Sequence, residues 1–98
     1  METIQWIPVT LFCESHRIET TFIDELEQFG LIELKVEQST RLIAADHLPA
    51  VEKMLLLHEE MGINLEGIET VMHLLDKIQL MQSEMLQMRK RLRSFDGL

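Results

Sequence analysis

The sequence contains no tyrosine, one tryptophan and one cysteine among 98 residues. With a single thiol, Cys13 has no internal disulfide partner, and a lone cysteine fits a reducing compartment. No apolar run approaches the roughly 18 residues that a membrane helix needs. Glu2 stands where a secretory signal would carry basic residues, so the cytoplasm is the expected location. There is no glycine-rich phosphate loop and no His-Glu-x-x-His motif. The four histidines, His16, His47, His58 and His73, have no metal-ligand spacing, and Cys13 has no activating motif beside it. The sequence therefore predicts no catalytic residue, no metal, no cofactor and no enzymatic role.

An apolar share of 46% with 27% charged residues describes an ordinary globular domain. The net charge of −8 is unevenly spread. Up to residue 76 the only cations are Arg17, Lys35, Arg41 and Lys53 among many acids, whereas residues 77–98 carry Lys77, Arg89, Lys90, Arg91 and Arg93 against Glu84 and Asp96. An acidic body repels nucleic acid and draws in basic protein surfaces.

Along the chain, Thr3–Ile7 alternates weakly and reads as a short strand closed by Pro8. Thr10 is the expected cap of a first helix ending near Ser15, with His16 and Arg17 as a turn. A second helix follows from Thr20 or Thr21 with Phe22, Ile23, Leu26 and Phe29 at helical spacing, and Gly30 stands where a left-handed terminator is wanted. Residues 31–44 alternate in two runs around a polar turn at residues 37–40, the pattern of a small hairpin or wing. Asp46 is the expected cap of a third helix, with Pro49 in its first turn and Leu48, Val51, Leu55, Met54 and His58 on one face. Asn64 caps a fourth, whose buried stripe is Leu65, Ile68, Val71, Met72 and Leu75.

The strongest periodic signal comes last. Val71, Leu74, Ile78, Met81, Met85, Met88, Leu92 and Phe95 alternate spacings of three and four, a heptad seam for a coiled coil. One long helix or two helices with a slight kink would satisfy it. A flexible methionine stripe also suits varied partners, but self-association is the preferred reading, with Ile78, Met81, Met85, Met88, Leu92 and Phe95 as the homodimer contact. The basic cluster at residues 89–93 suits an acidic surface, such as the body of the other subunit, better than nucleic acid. The expected organisation is a body at 1–76 and a dimerisation helix at 77–98, forming one domain overall.

The helix-turn-helix outline is at odds with its own charge. Its second helix carries Asp24, Glu25 and Glu27 and no basic residue, so it lacks what a helix in a major groove needs to meet phosphates.

The ordered set Val9-Thr10, Phe12-Cys13, Ile18, Glu25, Gly30-Leu31-Ile32-Glu33, Asp46-His47, Leu57-His58-Glu59, residues 62–68 and Leu74-Leu75-Asp76-Lys77-Ile78 resembles the MerR-type winged-helix family. Within it the chain is most similar to the chaperone modulators of the CbpM group. The resemblance implies a mainly α, small α+β winged helix-turn-helix fold. It also implies a regulator that binds the J-domain of a DnaJ/CbpA-type co-chaperone, restrains its work with DnaK and lowers its DNA binding. J-domains carry a basic second helix beside a His-Pro-Asp turn, and Asp24, Glu25, Glu27 and Glu33 are the residues expected to meet it.

Ordinary MerR regulators place Arg-Tyr-Tyr in the second helix, where this chain has Asp24-Glu25-Leu26, and Gly-Tyr-Arg in the wing, where it has Thr40-Arg41-Leu42. A MerR-type DNA-binding transcriptional regulator is the alternative reading, and these departures count against it.

Overall fold

The computed structural model describes residues 3–96. Strand β1 (Trp6–Pro8) runs directly into helix α1 (Val9–His16), and helix α2 (Thr20–Gln28) follows a short turn. Strands β2 (Lys35–Glu37) and β3 (Thr40–Ala44) form the wing. Helices α3 (Leu48–Glu59) and α4 (Leu65–Asp96) complete the chain. The outcome is a mainly helical winged helix-turn-helix with a small antiparallel sheet.

The sheet order is β1-β3-β2. Ile7 pairs with Ile43 and Pro8 with Leu42 on one side of β3, and Val36 pairs with Arg41 on the other. Pro8 sits at the end of an edge strand, where its missing N–H costs no ladder bond. It also forms the N-cap of α1, with φ −60° already suited to the helix start. The helix therefore begins at Val9, and Thr10 is inside it rather than capping it.

The end of α1 is unusual. Arg17 adopts a left-handed conformation (φ 56°), its N–H donating to the Glu14 carbonyl at 3.3 Å and the Ile18 N–H to the Cys13 carbonyl at 3.0 Å. That two-bond pattern normally terminates on glycine. At the end of α2 glycine supplies it: Gly30 (φ 78°) donates to the Glu27 carbonyl and Leu31 to that of Leu26, as the sequence predicts.

Asp46 does not cap α3. It lies in a single 3₁₀ turn, Ala45–His47, that leads into the helix through His47, and no side chain bonds the helix start. Pro49 in the first turn has no N–H to satisfy, so less is lost without a cap. Asn64, by contrast, does cap α4, its Oδ1 accepting the Gly67 N–H at 2.8 Å.

The core joins Val9, Phe12 and Cys13 from α1 to Phe22, Ile23 and Leu26 from α2, Ile43 from β3, and Val51, Met54 and Leu57 from α3. Ile32 and Ile68 are buried as well, and no polar side chain is buried among the described residues. Each large aliphatic group taken from water contributes about 1.5–3 kcal/mol, so the alternation of buried and exposed positions fixes the helix faces. On α3 the buried residue after Met54 is Leu57, while Leu55 is half-buried.

Helix α4 is continuous over 32 residues, with no kink element at residues 76–77. By contacts the chain divides into units Met1–Ile68 and Glu69–Leu98, so the division falls eight residues before the expected 76/77 boundary. Of the expected α4 stripe only Ile68 is buried, and Leu65, Val71, Met72 and Leu75 are half-buried. From Leu74 to Phe95 every seam residue is exposed.

Candidate functional site

The left-handed Arg17 reverses the chain between α1 and α2 and sets Ile18 and Glu19 beside the C-terminal half of α3. Two adjoining recesses result. One, of about 280 Å³, is bordered by Glu19, Thr21, Phe22, Glu25, His58 and Glu59. The other, of about 420 Å³, has Leu55 and Leu56 in its wall and Glu52, Glu59 and Glu60 around it. Arg17, Ile18 and Glu59 line both, so they form one groove. The part beside α2 is mostly polar, the part beside α3 is apolar at Ile18, Leu55 and Leu56, with Leu56 47% exposed, and the rim is acidic apart from Arg17.

One wall is held firmly. The His58 ring stacks on Phe22, centroids 4.9 Å apart, and its Nδ1–H donates to the Ile63 carbonyl at 3.2 Å. His16 makes the same kind of contact on α1, stacking on Phe12 at 4.1 Å and donating to the Phe12 carbonyl. Both histidines are structural, as ring contact and hydrogen bond account for each.

The four carboxylates singled out in the sequence fall in different places. Glu25 lines the groove together with Glu19 and Glu59. Asp24 is ion-paired with Arg41 of the wing. Glu33 borders a separate recess of about 270 Å³ with His47 and Ala50. Glu27 is exposed on α2. The sequence reading missed Glu19, Glu52, Glu59 and Glu60, whose convergence depends on how α3 crosses the α1–α2 turn. The one sequence signal among them is the seven-residue spacing of Glu52 and Glu59, which sets both on one face of α3.

Cys13 is buried in α1, and its thiol pKa is pushed up from the ordinary value of 9.0, chiefly by burial. Arg41 nearby lowers it and Asp24 raises it. Buried between Phe12 and the neighbouring core, the side chain packs as a small apolar group. Among the described residues no cluster of three His, Cys, Asp or Glu side chains is placed to hold a metal ion. No helix in them is long and apolar enough to cross a membrane.

On α2 and the wing, the surfaces with which a winged helix reads DNA, Asp24 engages the guanidinium of Arg41 and Glu37 engages Lys35, so each wing cation faces an acid of its own chain, while α2 itself carries no basic residue. Such a surface gains nothing from counterion release, the dominant source of DNA affinity. The groove instead sets carboxylates beside Ile18, Leu55 and Leu56.

Comparison with known proteins agrees with the fold. No solved structure matches the chain. The chaperone modulatory protein CbpM of Pseudomonas entomophila (strain L48) is 23% identical over 84 residues, covering 85% of this chain and 83% of that protein. The model of the MerR HTH family of regulatory proteins matches residues 7–90, nearly the whole length from β1 to late α4, and the chain therefore belongs to that family.

Proposed function

We propose that this protein is a chaperone modulator acting in the cytoplasm, which binds the J-domain of a DnaJ/CbpA-type co-chaperone and holds it away from DnaK and from DNA. It performs no chemistry and inhibits by occlusion. The observation that carries this reading is the acid-rimmed groove between the α1–α2 turn and α3, apolar along its α3 side. A basic J-domain helix offers it cations for Glu19, Glu25, Glu52 and Glu59, with aliphatic stems for Ile18 and Leu56. The similarity to a chaperone modulatory protein supports it.

The active form is a homodimer closed through the α4 seam at Ile78, Met81, Met85, Met88, Leu92 and Phe95. All six are exposed on the single chain, and an isolated helix with such a stripe gains its stability from a partner helix.

Calorimetric titration of the full chain with a purified J-domain co-chaperone from the same cytoplasm tests the proposal. Binding is expected to weaken about tenfold or more in Glu25→Lys and Glu59→Lys, the effect of replacing close attraction by repulsion, and to weaken with added salt. Duplex DNA should show no binding at physiological salt. Binding of DNA with no binding of the J-domain protein would favour the transcriptional regulator instead.

A further inference from the structure

The heptad seam leaves two exposed leucines of α4 off its line, Leu80 and Leu86, and only Leu86 has a group of cations around it. Leu86 lies one residue beyond Met85, off the seam, and is 53% exposed. Arg89, Lys90 and Arg93 follow it at three, four and seven residues, the spacing of a single helix face. A dimer zipped through Met85, Met88 and Leu92 keeps Leu86, Lys90 and Arg93 on its outside, with Arg89 at the flank. The outer face is thus an aliphatic anchor surrounded by three cations.

The groove beside α3 has the complementary character. Ile18, Leu55 and Leu56 form its apolar part, and its rim holds Glu52, Glu59 and Glu60 against the single cation Arg17, with His16 beside it. Its volume of about 420 Å³ leaves room for an aliphatic side chain and the stems of neighbouring cations. Both surfaces belong to the same polypeptide and meet at the concentration of the protein itself.

We propose that this apolar groove binds the Leu86–Arg93 face of α4 from another copy of the chain, so that the free protein occupies its own docking groove. A basic J-domain helix must displace that face before it binds, a consequence that rests on the reading of the groove given above. The modulator then engages its partner by exchange, and free protein at high concentration is held in reserve.

Zero-length carbodiimide cross-linking tests this without any partner present. Full-length chain of natural isotope content is mixed with ¹⁵N-labelled chain in denaturant, refolded together and cross-linked, and the joined peptides are identified by mass spectrometry. Lys90 is expected to join Glu52, Glu59 or Glu60 in mixed-isotope peptides. Leu86→Gln, which spares the seam, should reduce that yield about tenfold, as expected for loss of one buried aliphatic anchor. Lys90 links confined to α4 carboxylates, groove links found only within single-isotope peptides, or a yield unchanged by Leu86→Gln would each overturn the proposal. None of these results would alter the J-domain titration, so the two readings fail separately.

Discussion

Arg41 on β3 and Asp24 on α2 are ion-paired across the junction of wing and helix-turn-helix. Each stands at a position where an ordinary MerR-type DNA reader is expected to carry positive charge or an aromatic ring toward the duplex. Here the wing cation is turned inward by an acid of the neighbouring helix. With the side chains 34% and 39% exposed, the pair should show a coupling of about 0.5 kcal/mol in an Asp24→Ala/Arg41→Ala double-mutant cycle at low salt, falling as salt rises. A coupling that did not respond to salt would mean that the two residues interact by packing instead of charge.

Arg17 holds a left-handed backbone without being glycine. That conformation costs a β-carbon-bearing residue about 1–2 kcal/mol, partly offset in a glycine variant by the greater freedom of its unfolded chain. Arg17→Gly is therefore expected to raise the unfolding free energy by about 0.5–1 kcal/mol, read from urea denaturation. Lower stability in the variant would show that the arginine side chain contributes more than the backbone strain.

Gly67 lies in the first turn of α4, where exchange of glycine for alanine usually stabilises a helix by about 1 kcal/mol. Here the sign should reverse. A β-carbon at Gly67 would come within 2.6 Å of Ile63 Cγ2 and 3.1 Å of the capping Asn64 Oδ1. The β-branched Ile63 has little freedom to turn away, and moving Asn64 would loosen a cap worth about 1 kcal/mol. Gly67→Ala should unfold at lower urea concentration than the parent.

The buried Cys13 thiol makes stability depend on pH in one direction. Its pKa is raised in the folded state above the ordinary 9.0, so at alkaline pH the native protein keeps a proton that the unfolded chain has lost. The contribution is constant below pH 9.0 and declines as pH rises from there toward the native value. Cys13→Ala should show a shallower alkaline loss of stability than the parent. The same burial predicts that a thiol reagent labels Cys13 only after denaturant is added; rapid labelling of the native protein would contradict it.

Met85 sits in the middle of the exposed seam. If the seam closes a dimer, Met85→Lys places a charge at a core position and should weaken self-association by tenfold or more, about 1.4 kcal/mol. Sedimentation equilibrium reads this directly, with the helix content of residues 3–68 left unchanged. An unaltered association constant would place the dimer contact elsewhere.

The elements carried by strong local signals were legible in the sequence: the second helix with its Gly30 terminator, the wing, the Asn64 cap and the helical character of the C-terminal segment. Local signals failed where a neighbouring element decided the outcome. Thr10 and Asp46 are good capping residues by type, but Pro8 in the sheet ladder and the 3₁₀ turn at residues 45–47 had already set how each helix begins. In the run Met54-Leu55-Leu56-Leu57 apolar character alone cannot select a face, and the packing buried Leu57 where periodicity had suggested Leu55. The groove was legible only in part, through Glu25. Glu52, Glu59 and Glu60 all belong to α3 and its end, but their meeting with Glu19 and Glu25 depends on a helix crossing that no spacing records.

The stack of His58 on Phe22, with its hydrogen bond to Ile63, ties α2, α3 and the turn before α4 together at the groove wall. Such a wall has few side-chain rotamers left to lose when something binds there. The entropy of association then falls mainly on the incoming segment, and affinity will vary with how well that segment is ordered beforehand. A preformed basic helix should consequently bind far more tightly than a flexible peptide of the same composition.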